Sequence, residues 1–163
     1  MASSFFPKVF EKLLSAELDL SSGGADAGDV KIMLLGNVAS YTFDVTDEFV
    51  SDISGELANG TNGVAGYSRK AIPVTLSFNA DVAGSGAAAG CEVAFTLTTT
   101  GSDNAIWTSA TFTTAHAVLF VDKGGPDSAN PLLYYFDLSA DQVVSSGTFE
   151  LRNPTTQPRI RRA

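Results

Sequence analysis

The spacing of apolar residues changes once along the chain, near residue 30. Before it, Phe6, Val9, Phe10, Leu13 and Leu14 recur at helical intervals and form one stripe. Pro7 suits a first helical turn, where its missing N–H costs nothing, and it pushes Phe6 toward extended backbone. Ser21-Ser22-Gly23-Gly24 closes the segment. A helix of about twelve residues is marginal alone in water, so the stripe must be covered. A helix folded over its own sheet is the preferred reading; an arm docked on a partner subunit is the alternative.

From Val30 onward the period is two. Val30, Ile32 and Leu34 alternate, then Ile72, Val74, Leu76 and Phe78, then Cys91, Val93, Phe95 and Leu97. Such runs send one set of side chains to a core and the other to solvent. Pro73 cannot donate to a ladder, which marks an edge strand or a strand start. The Gly- and Ala-rich residues 80–90 read as a hairpin-like link. Further strands are predicted at 105–113, 117–121, 132–138 and 143–151, separated by Gly101-Ser102-Asp103-Asn104, Gly124-Gly125-Pro126-Asp127 and Ser145-Ser146-Gly147. Residues 153–163 hold two prolines and no periodicity, and read as an extended arm. The expectation is a mainly β chain, an antiparallel, jelly-roll-like β-sandwich. Its divisions would be a helical arm at 1–22, the sandwich at 23–152 and a basic C-terminal arm at 153–163.

Composition sharpens this picture. Charged residues make up 17% of the 163-residue chain, below the ~25% usual for soluble domains. A neutral, hydroxyl-rich surface suits contact with other subunits, and equally an ordinary β protein. The net charge of -8 is uneven: all eighteen acids lie at or before Glu150, and Arg152, Arg159, Arg161 and Arg162 follow it. An acidic body argues against a nucleic-acid partner, which needs clustered cations; the basic tail suits an acidic protein neighbour as well as it suits a polyanion. One cysteine, Cys91, excludes an internal disulfide. Lys8, Glu11 and Lys12 interrupt any secretory apolar core, and no apolar run reaches the ~20 residues that span a bilayer. No membrane partner is expected.

Chemistry finds little support. His116, the only histidine, borders an apolar run and reads as a structural or surface residue. One His and one Cys cannot make a common zinc site, and Cys91 opens a core-like run with no base beside it. Gly84-Ser85-Gly86 lacks both the following helix and the Lys-Ser/Thr pair of a phosphate loop. Asp44, Asp47, Glu48, Asp52 and Glu56 do not match calcium-loop spacing and read as a solvated acidic stretch. Asn59-Gly60-Thr61 fits a glycosylation acceptor, but only along a secretory route. No catalytic residue, cofactor or metal is expected.

A collinear series of short motifs carries one resemblance. Phe5-Phe6 and Leu13-Leu14 are followed by Asp29-Val30-Lys31-Ile32-Met33-Leu34-Leu35 and by Tyr41-Thr42-Phe43-Asp44. Next come Asp47-Glu48-Phe49-Val50-Ser51-Asp52-Ile53 and Gly66-Tyr67-Ser68-Arg69-Lys70. The back half adds Ile106-Trp107-Thr108, Ala117-Val118-Leu119-Phe120-Val121-Asp122 and Pro131-Leu132-Leu133-Tyr134-Tyr135-Phe136-Asp137. Over residues 5–151 this resembles a family of small β-sandwich virion structural proteins of tailed bacteriophages and their prophages. That family is similar to decoration, or cement, proteins of the head, with some members at the tail or neck. Its usual short Gly-Ile-Arg-Leu finish is replaced here by Leu151-Arg152-Asn153-Pro154 and the arginine tail.

The resemblance implies a non-catalytic capsid decoration protein. It would be made in the bacterial host cytoplasm and placed on the capsid surface as a homo-oligomer bound to the major capsid protein. Arg152, Arg159, Ile160, Arg161 and Arg162 are the expected capsid or subunit contacts. A tail or neck structural protein is the first alternative. A receptor- or carbohydrate-binding β-sandwich is the second, with Tyr41 and Tyr67 as its candidate aromatics.

Overall fold

The computed structural model describes residues 3–21, 24–36, 41–58, 64–72, 74–80, 91–97, 105–151 and 159–160. The chain is mainly β, and among the described residues every strand pairing is antiparallel. One open sheet joins β1 (Ser4–Phe5), β2 (Val30–Gly36), β3 (Lys70–Ala71), β6 (Ala105–Val121) and β7 (Leu132–Leu151), in the order β1-β7-β6-β2-β3. A second sheet joins β4 (Val74–Ala80), β5 (Cys91–Leu97) and β8 (Arg159–Ile160), in the order β4-β5-β8. Among the described residues β4 takes an edge of this sheet; Pro73, expected to mark an edge strand or a strand start, lies outside them. Its seven antiparallel pairs with β5 run from Val74↔Leu97 to Ala80↔Cys91; the Gly- and Ala-rich link expected between them lies, past Ala80, outside the described residues.

The centre of the larger sheet is buried on both faces. Val30, Ile32 and Leu34 of β2 join Ala117, Leu119 and Val121 of β6 in one apolar cluster. Met33 and Leu35 join Val118 and Phe120 in another. Because side chains alternate sides along a strand, an unbroken apolar run such as 117–121 has no polar set left for water. The run therefore specifies a strand covered above and below.

The N-terminal segment supplies part of both covers. Phe6 lies in extended backbone, its N–H donating to Leu133 O at 3.2 Å, and fills the second cluster. The helix α1 spans only Lys8–Leu14, and its Val9 is fully buried in the first cluster, with Phe10 and Leu13 packed against it. The stripe read from the sequence is thus broken at both ends, at its start where Pro7 was expected to push Phe6 out of the helix. Phe6 precedes the helix and points to the other side, while Leu14 is 89% exposed. The helix stops because Ala16 turns left-handed (φ 57°) and Leu18 N–H returns to Lys12 O.

Four of the short strands expected in the back half are two long ones. Residues 105–113 and 117–121 are one strand, β6, and residues 132–138 and 143–151 are one strand, β7. Ser139 (φ 66°) and Ser146 (φ 48°) break the regularity of β7 without reversing it. They lie where pairing with β6 shifts register, so the Ser145-Ser146-Gly147 punctuation is a bulge and not a turn. Gly124-Gly125-Pro126-Asp127 is the true reversal, completed by a short 3-10 turn at Asp127–Ala129.

Candidate interaction surface

Beyond β2 and β1, the paired strands β6 and β7 continue as a ribbon, from Thr114↔Gln142 out to Ala105↔Leu151. One face of the ribbon belongs to the core. Trp107, Ala110 and Phe112 are buried there, and Val144, Phe149 and Leu151 pack against them. The Trp107 and Phe112 rings meet edge-on at 6.5 Å, and Phe112 meets Phe149 edge-on at 5.6 Å. The other face carries Thr108, Ser109, Val143, Ser145 and Thr148, all exposed. These five are hydroxyl-bearing or aliphatic; alternation puts Ile106 and Glu150 on the same side at the outer end of the ribbon, and Asp141 is exposed at its inner end.

Residues 64–72 lock the ribbon to the rest of the sheet. Ala65 exchanges backbone hydrogen bonds with Thr111, both at 3.0 Å. Gly66 follows with φ +72°, and a Cβ there would lie 3.0 Å from the carbonyl oxygens of Thr108 and Ser109. Only glycine fits that approach. Ser68 O accepts the Trp107 indole N–H at 2.8 Å. The Tyr67 hydroxyl accepts from Leu34 N–H at 3.2 Å and donates to Glu56 at 2.7 Å. Burial and the Glu56 charge push the Tyr67 phenol well above its ordinary range.

Arg69 ends this segment in a double clamp. Its Nε and Nη2 donate to the two Glu56 oxygens at 2.8 and 2.6 Å. Its Nη1 and Nη2 donate to the two Asp127 oxygens at 2.7 and 2.8 Å. The guanidinium carbon also lies 5.1 Å from the Phe120 ring centroid. Two parallel hydrogen bonds to each carboxylate use the planar fork of arginine fully. The clamp joins three segments distant in sequence, and it pulls the Asp127 carboxyl below its ordinary range.

The remaining polar candidates are committed to local structure. His116 Nδ1 lies 2.7 Å from the Tyr135 hydroxyl and 4.0 Å from Asp137 Oδ1. Burial and the Asp137 charge push the Tyr135 phenol up to about 12. Asp44 accepts from the backbone and hydroxyl of Thr46, both at 2.8 Å, and Asp52 accepts from the N–H groups of Phe49 and Glu48. Asp47 bonds the Tyr41 hydroxyl, Glu48 pairs with Lys12 at 2.7 Å, and Glu56 holds Arg69. The acidic stretch is therefore a set of loop ties. Among the described residues no three His, Cys, Asp or Glu side chains gather as a metal site would require. No helix there is long and apolar enough to cross a membrane.

Tyr41 and Tyr67 are both buried, with their hydroxyls engaged, so neither offers a ring face to a ligand. Among the described residues the exposed large apolar side chains are Leu14, Val45 and Val143, none of them aromatic. Of the contacts expected in the tail, Arg159 and Ile160 form β8, paired with Ala94 and Val93 of β5. That part of the tail is a strand added to the chain's own sheet, although its sequence obliges no such return. Arg152, Arg161 and Arg162 lie outside the described residues, as do Asn59-Gly60-Thr61 and Gly84-Ser85-Gly86; Cys91 lies in β5.

No family model, no curated protein and no solved structure matches the chain.

Proposed function

We propose that the chain is a non-catalytic structural protein of a tailed-bacteriophage virion, a capsid decoration protein that binds the major capsid lattice and stiffens the head. In this reading the three-stranded sheet stacks on the five-stranded one as a jelly-roll-like sandwich. The observation that carries the proposal is the β6–β7 ribbon. Its solvent face has Thr108, Ser109, Val143, Ser145 and Thr148 and no charge among them. The middle of such a face loses little when water leaves it, because hydroxyls re-pair easily, and its acids, Asp141 and Glu150, stand only at its two ends. The collinear motifs that resemble small virion proteins support the same reading.

The mechanism is adhesion. A stable contact buries about 1,600 Å², and repetition over a lattice turns modest contacts into a strong shell through avidity. Arg152, Arg159, Ile160, Arg161 and Arg162 form the bridging tail. The test is a binding assay on purified heads, with the full chain and with a chain ending at Asn153. Saturable binding at hundreds of copies per particle supports decoration, and reduced occupancy of the shortened chain supports the bridging tail. Six or twelve copies per virion would move the protein to the tail or neck. Equal occupancy by the two chains removes the tail from the contact.

A further inference from the structure

We infer that the outer edge of β5 is a strand-accepting site, closed by the chain's own tail as β8 and open to the tail of a second copy when that strand leaves. β8 pairs antiparallel with β5 through Val93↔Ile160 and Ala94↔Arg159. β4 holds β5 along all seven of its residues on the other side. Ala94 is the middle residue of Cys91–Leu97. A two-residue ladder at that point leaves flanks of two and three residues, shorter than the usual strand of about five. A short hold therefore closes the whole edge.

Composition assigns the two strands to these places. Natural edge strands are guarded by proline and charge. Cys91–Leu97 has no proline and one charge, Glu92, so it lacks those guards. The tail carries them: Pro158 stands directly before β8, Arg159 lies in it, and Arg161 and Arg162 directly follow. Among the described residues β8 is the edge of this sheet.

Charge selects the occupant. In residues 1–150 eighteen acids outnumber six cations, and the four arginines after Glu150 have no acid among them. Two bodies repel, whereas the tail of one copy is attracted to the body of another. One ladder serves within a chain and between chains, so exchange requires no surface beyond the one already built. A hold of two residues also opens at little cost. Tail and edge of the same chain meet at high effective concentration, so the closed form prevails in dilute solution and exchange grows as copies crowd. The inference does not rest on the capsid reading, and its test uses no capsids.

The test is fluorescence anisotropy of a labelled synthetic peptide of residues 154–163. It is titrated to about 1 mM with the chain ending at Asn153 and, separately, with the full chain. The shortened chain should bind the peptide saturably, and the full chain, its edge filled, at least about tenfold more weakly. A peptide carrying R159P and I160P should not bind, because proline cannot donate to a ladder. A scrambled peptide, which keeps every arginine, reads the attraction of charge alone and should bind more weakly than the native one. No binding by the shortened chain overturns the inference, as does equal binding of native and scrambled peptides, or equal affinity of the two chains. Should the shortened chain lose its fold by circular dichroism, hydrogen exchange on the full chain decides. Protection of the Arg159 or Ile160 amide that falls as peptide is added supports the exchange, and protection absent or unmoved by peptide overturns it.

Discussion

Arg69 holds Asp127 through two parallel hydrogen bonds, 2.7 and 2.8 Å long, across 58 residues of sequence. With its second grip on Glu56, it ties the β6–β7 reversal to the segment that braces the ribbon. Replacement by alanine leaves two carboxylates facing each other and uncovers the Phe120 ring. All three side chains of the clamp keep some solvent contact, so the cost is well below that of a fully buried pair, at about 1–3 kcal/mol. R69K retains the charge but cannot grip both carboxylates bidentately, and should recover less than half. Urea unfolding midpoints of the two variants check both statements.

Gly66 gives a prediction of strain. Its left-handed backbone and the two carbonyl oxygens 3.0 Å from an added methyl make G66A unfavourable twice over. A loss of about 1–3 kcal/mol is expected, with Trp107 fluorescence shifting toward the solvent-exposed value at lower urea. A G66A midpoint equal to that of the wild type would contradict the close approach.

Acid should unfold the protein. Hydrogen bonds from Arg69 lower Asp127, backbone N–H groups lower Asp52, and Lys31 lowers Asp122. A depressed carboxyl stabilises the fold fully above its unfolded value of about 3.9, and the contribution is lost as pH falls through the lower folded value. Asp47 acts oppositely, because burial raises its carboxyl and its protonation favours the fold. Asp19, Asp44 and Asp137 are lowered as well, so the lowered groups outweigh the raised one and the urea midpoint should fall as pH drops below about 4. D52N should flatten that fall, whereas D47N should steepen it.

Alkali should unfold it as well. Tyr41, Tyr67, Tyr134 and Tyr135 are all raised, each chiefly by burial, and Tyr135 stands at about 12. Below the unfolded value of about 10 both states hold the proton, and the stabilisation is intact. Above it the unfolded chain ionises while the folded chain does not, so stability drains away as pH climbs through the folded values. Phenolate absorbance should therefore rise in one cooperative step together with loss of circular dichroism. Early, gradual ionisation of one tyrosine would show that its ring is open to water.

The β class was legible because alternation survives in short runs such as Val30, Ile32 and Leu34, and because an unbroken run such as 117–121 needs cover on both sides. Strand lengths were not. Whether Ser145-Ser146-Gly147 turns or bulges depends on whether the partner strand continues alongside, and Ser146 N–H finds its partner in Thr111 Oγ1, 35 residues away. Pro7 gave away that Phe6 leaves the helix, but periodicity cannot see that Phe6 bonds Leu133 and crosses to the other cluster, nor that Leu14 stays in water. The Glu56–Arg69–Asp127 clamp joins three segments with no shared local pattern, so nothing in the sequence announced it. Val143 opens the strand predicted at 143–151, and no local rule marks it, rather than Val144, as the member facing water.

A strand apolar on both sides has lost the cue that ordinarily tells it which side is which. Sliding β6 by one position against β2 would trade Val118 for Leu119 and strand no polar group in oil. Alignment must then come from shape and from singular anchors. Thr114 Oγ1 reaching Leu35 O at 2.8 Å, the irregularities beside Leu35 and Leu119, and the small Ala117 between larger neighbours are such anchors. These few residues act as the notches of a key, and mutations there should produce well-packed chains threaded one step out of place.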